Sequence, residues 1–140
     1  MPIMAVQDQN DARGTARILA GEAMRSIEAC EATSAASRVA LSGLFRLLKA
    51  YRAHQLSGFE YQPRRDHAYE GMSIAPGGES HVGELRLALE RALTEVYGQK
   101  PDEGLNAIER VIRAVAVEAR PDTAELTQTT RFLGCFLQKL

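Results

Sequence analysis

Residues 34–56, SAASRVALSGLFRLLKAYRAHQL, restrict the folding of this chain more than any other stretch. At 3.6 residues per turn Leu41, Leu44, Leu47, Leu48 and Tyr51 share one face, with Phe45 at its edge. Arg38, Arg46, Lys49 and Arg52 collect about 140° round the same helix. No proline interrupts the run, and Gly43 is the only weak helix former inside it. A helix with a wide apolar face and a basic edge follows. Its cations can lie along the rim of a core helix with their heads in water. The same pattern also suits a helix that binds an anionic membrane or a nucleic acid.

The helical period recurs on both sides. Upstream, residues 1–8 read as a frayed tail, after which Asp8, Asn10 or Asp11 can cap a helix running through ARGTARILAGEAMRSIEACEA. Its inner face is small: Ala16, Ala20, Ala23, Ile27 and Cys30. Downstream, Ser80 is a cap for SHVGELRLALERALTEVYG, whose stripe is Val82, Leu85, Leu89, Ala92, Leu93 and Val96, with Gly98 as the stop. Pro101, Asp102 and Glu103 open a further helix that turns Leu105, Ile108, Val111, Ile112 and Val115 inward. Glu109 and Arg113 are spaced to pair on its outer side. Pro121 ends it, and Asp122 with Glu125 makes a capping box for a last helix. That helix is expected to bury Leu126, Leu133, Phe136 or Leu137, and Leu140.

The join between the first helix and residues 34–56 is ambiguous. EATSAAS contains no Gly and no Pro, and Ser34 or Ser37 can cap a new helix, which favours a hairpin. Yet one heptad register runs through Ala16, Ala20, Ala23, Ile27, Cys30, Ser34, Ser37, Leu41, Leu44, Leu48, Tyr51 and Gln55. A continuous helix over 11–56 would be about 65 Å long and would need a second chain beside it. Two helices or a sharp bend is the preferred reading, with the long helix as its alternative.

Between the two helical halves lies SGFEYQPRRDHAYEGMSIAPGGE, residues 57–79, punctuated by Gly58, Pro63, Gly71, Pro76, Gly77 and Gly78. Loops of this length in compact domains are usually functional or disordered. No segment keeps a period of two, so the expected class is all-α. The architecture is a four- or five-helix bundle with one long irregular segment (about 57–79), all within one domain, 1–140.

Several chemistries are disfavoured. The net charge of −1 creates no whole-molecule field for polyanions, although residues 36–65 carry +5 and each flanking region is mildly acidic. Cys30 and Cys135 lie far apart and form no CxxC, so reduced buried thiols are expected, with a disulfide only in an oxidising compartment. The start, MPIMAVQDQND, lacks a basic region and a long apolar run, so no secretory signal is read and the cytoplasm is the expected location. No run is long enough for a transmembrane helix. His54, His67 and His81 show no ligand spacing, and neither HExxH nor ExxH occurs, so no metal and no cofactor is expected. GGESHVGEL has P-loop glycine spacing but puts Glu84 where the motif needs Lys.

The expected function is accordingly that of a small helical protein-interaction or regulatory module that associates with itself or with another protein. Arg52, Phe59, Tyr61, Arg64, Arg65, His67 and Tyr69 form the candidate partner-binding set, because Arg and Tyr suit interface hot spots. The competing structural reading pairs those arginines with acids of the later helices. Leu41, Leu44, Leu48 and Tyr51 form the candidate self-association face. One alternative is nucleic-acid or anionic-ligand binding through the basic 38–65 stretch, and a second is a small helical enzyme or ligand carrier without a recognisable motif.

Overall fold

The structure is a computed structural model that describes the backbone of residues 2–56, 62–63, 69–71 and 79–140, and the side chains of residues 13–56 and 83–140. The described residues form five helices: α1 (Pro2–Ala29), α2 (Ala35–Arg52), α3 (Glu79–Tyr97), α4 (Pro101–Ala116) and α5 (Thr123–Lys139). The all-α class expected from the apolar period is the one observed. Within the irregular stretch a short antiparallel ladder pairs β1 (Gln62–Pro63) with β2 (Tyr69–Gly71).

Residues 2–8 are helical, so α1 starts well before the caps proposed for it, and Asp8, Asn10 and Asp11 lie inside it. Proline at the first helical position has its φ preset, and no Gly or Pro follows until Gly14, so nothing interrupts propagation. The continuous 11–56 helix is excluded. The chain leaves α1 at Cys30, whose φ of 53° is left-handed, and re-enters at Ser34, whose Oγ accepts the Ser37 N–H at 3.0 Å. Glu31 N–H donates to the Ser26 carbonyl and Cys30 N–H to that of Ile27, which is a Schellman closure with cysteine where glycine is usual. A connection this short folds α2 back along α1. The heptad phase that suggested one helix instead lets the two stripes meet: Ala16, Ala20, Ala23 and Ile27 with Leu41, Leu44 and Leu48 are all at most 1% exposed.

The same closure recurs. His54 (φ 59°) ends α2 and Glu118 (φ 58°) ends α4, each with the pair of bonds seen at Cys30. Only α3 ends at a left-handed glycine, Gly98, as its sequence predicts. Helix α3 begins at Glu79, so Ser80 falls in its first turn and not before it.

The core is shared by all five helices. Helix α5 packs on both α1 and α3, and α4 touches α2, α3 and α5. Leu19, Leu47, Leu85, Leu89, Leu93, Ile108, Val111 and Leu133 are fully buried with the alanines of α1. Burying each large side chain contributes about 1.5–3 kcal/mol. On α5 Leu133, Phe136 and Leu140 are buried as expected, Thr129, Phe132 and Cys135 join them, and Leu126 is only half-buried, as is Leu137. The Phe132 and Phe136 rings stack with centroids 6.1 Å apart, and their bulk sets which stripe of α5 faces inward. At the end of α5, Arg13 Nε (3.1 Å) and Arg17 (2.6 Å) donate to the Leu140 carbonyl oxygen. Two cations thus converge on one carbonyl at the negative end of α5.

Candidate interaction surface

The basic edge of α2 meets α4 along a seam that the helical period explains. Phe45, Lys49 and Arg52 follow one another at steps of four and three, and Asn106, Glu109 and Arg113 on α4 at steps of three and four. Arg52 donates to Asn106 Oδ1 and to Glu109 Oε2, both at 3.2 Å, and Arg113 lies 5.2 Å from the centroid of the Phe45 ring. The contacts pair the end of one stripe with the start of the other, so the two helices run antiparallel. Lys49 Nζ lies over the same ring at 5.3 Å.

This arrangement corrects the expected Glu109–Arg113 pair. Both residues turn across to α2. Glu109 meets the guanidinium of Arg52 at a side-chain exposure of 15%, and Arg113 meets the face of an aromatic ring. A cross-helix partner in partly dry surroundings is a stronger attraction than an exposed neighbour one turn away. Arg52, expected to contact a partner, is instead tied to α4, in line with the structural reading that pairs the arginines with the later helices. Phe59, Tyr61, Arg64, Arg65 and His67 lie outside the described residues, and Tyr69 opens β2 with its side chain outside them too.

The face considered for self-association points into the chain's own core. Leu41 is 1% exposed and Leu44 and Leu48 are 0% exposed, so these leucines are not available to another molecule. Tyr51 is half-buried at the edge of that core. Burial lifts its phenol above the ordinary pKa, the charge of Glu90 adds to the effect, and Arg86 opposes both.

Cys135 is the other chemically distinctive residue. Its thiol donates to Glu95 Oε2 at 2.9 Å, and Lys139 Nζ holds Oε1 of the same carboxylate at 3.2 Å. Burial, followed by donation to the carboxylate, raises the thiol's pKa, while that bond and Lys139 hold Glu95 below its usual range. A thiol kept protonated in this way is a poor nucleophile. Both cysteines are free, with Cys30 half-buried at the α1–α2 turn. Among the described residues no three His, Cys, Asp or Glu side chains gather as a metal site.

Phe45 with its two cations was only partly legible in the sequence. The signal is its position at the rim of the apolar face one turn before Lys49, whereas spacing alone pairs Arg113 with Glu109. The fold and this seam define an all-α bundle whose polar distinction lies on a surface. Compared with family models, with curated proteins and with solved structures, the chain finds no match. No helix among the described residues is long and apolar enough to cross a membrane.

Proposed function

We propose that the chain is a helical interaction module that works by docking another protein on the α2–α4 seam. The observation that supports this is the placement of Lys49 and Arg113 over Phe45. Aromatic and arginine side chains held together at a surface are the composition of interface hot spots. With Leu41, Leu44 and Leu48 buried, a second copy would also have to dock through exposed residues. The nucleic-acid alternative is less favoured, because Arg52 is engaged with α4 and the face of Phe45 is covered by the chain's own cations and is not offered to a base.

Native mass spectrometry of the chain recovered from the cells that make it tests the proposal. The expected spectrum contains a complex of this chain with a second polypeptide, lost when Lys49→Glu and Arg113→Glu are combined. A retained metal, small molecule or oligonucleotide in place of a polypeptide overturns it.

A further inference from the structure

We infer that the α2–α4 seam takes a carboxylate-rich segment of the partner, an inference that rests on the docking function proposed above. Five of the described cations have a carboxylate on this chain. Arg13 pairs with Glu84, Arg25 with Glu22, Arg52 with Glu109, Arg110 with Glu125 and Lys139 with Glu95. Lys49 and Arg113 have no such carboxylate among the described residues, and their contact is the Phe45 ring.

Both charges lie close to the same centroid, so their separation is at most comparable to the ~10 Å Debye length of 0.1 M salt. At that spacing they repel one another only weakly through the salt, and carboxylates placed beside them relieve the repulsion. The ring also restrains two long side chains that otherwise lose rotamer freedom on binding, which lowers the entropic cost of docking. A guanidinium that uses its flat face against a ring keeps its N–H edge for a carboxylate fork. The +5 charge of residues 36–65 adds steering toward an acidic partner in a chain otherwise acidic on balance.

Fluorescence anisotropy on the full chain tests the inference with two labelled probes, a peptide of repeating Glu-Glu-Leu units and an oligothymidylate. The peptide is expected to bind, more weakly as salt rises, and about tenfold more weakly when Lys49→Gln is combined with Arg113→Gln. Phe45→Leu, which keeps an apolar group at the rim, is expected to weaken it as well. Arg25→Gln, on α1 and paired with Glu22, is expected to leave it unchanged. Peptide binding that ignores Lys49 and Arg113 overturns the inference. Tighter binding of the oligothymidylate through those residues overturns both it and the docking function. No peptide binding, with a polypeptide complex still present in the native spectrum, overturns the acidic-segment inference alone.

Discussion

The ring of Tyr97, at the end of α3, occupies the space that a side chain at Gly104 of α4 would need. A β-carbon on Gly104 would stand 2.5 Å from both Cγ and Cδ2 of the ring. Glycine inside a helix costs about 1 kcal/mol relative to alanine, so its presence here is explained by the contact and not by the backbone. Gly104→Ala is therefore expected to destabilise the fold by about 1–3 kcal/mol, through displacement of the ring, despite the better helix former. Urea unfolding followed by circular dichroism reads this directly; a stabilised variant would show that the ring moves freely.

Thr129 presents the opposite case, a polar group in a place that asks for none. Its hydroxyl and that of Tyr97 are buried oxygens without a hydrogen-bond partner among the described residues. Burial is the largest influence on the Tyr97 phenol and raises it above its ordinary pKa. Thr129→Val keeps the shape and removes a desolvated hydroxyl. It is expected to raise the stability by about 1 kcal/mol, seen as a higher urea midpoint with an unchanged slope. A loss of stability would mean that a water satisfies the group.

Glu118 closes α4 with a left-handed backbone, a conformation that disfavours residues with a β-carbon by about 1–2 kcal/mol. Glu118→Gly removes that strain at an exposed position, at some cost in unfolded-chain entropy. A net gain somewhat under ~1 kcal/mol is expected, and Glu118→Val should instead lose stability because a branched side chain fits this region worst. Thermal melts of the two variants must move in opposite directions.

The Cys135–Glu95 pair predicts a pH dependence at each end. The thiol's pKa is raised in the folded state, so its contribution to stability is complete below the ordinary thiol pKa and declines as the pH rises through the raised value. Glu95 is lowered, so its contribution is present above the ordinary carboxylate pKa and declines as the pH falls through the lowered one. Cys135→Ser and Glu95→Gln should flatten the alkaline and acid limbs respectively in stability–pH profiles. With 7% exposure, Cys135 is also expected to react with iodoacetamide more slowly than the half-buried Cys30, as peptide mapping after timed alkylation would show.

How far these features were legible differs from element to element. Helix α4 was readable at its start and along its inner face, since Pro101 marks the start and Leu105, Ile108, Val111 and Ile112 form an unbroken stripe, but it ends at Ala116, before the Pro121 expected to stop it. The Asp122 cap was readable in half: its carboxylate accepts the Glu125 N–H at 3.0 Å, but the Glu125 side chain turns to Arg110 instead of completing the box. The turn between α1 and α2 was the hardest, because its left-handed residue is a cysteine and carries no glycine signal. The proposed partner-binding set, Arg52 to Tyr69, was built mostly from loop residues, and five of its seven members lie outside the described residues.

By itself the sequence determined the helical class, the inner faces of α2, α3 and α4, and the concentration of positive charge near α2. These follow from local period and composition, which act over one or two turns of the chain. Tertiary structure alone decided that the heptad stripe folds onto itself and that Arg52 takes Glu109 from Arg113. It also brought Lys49 and Arg113 to one ring. Each of these is a choice between partners far apart in the chain, and it depends on which helix faces come within reach once the core has closed.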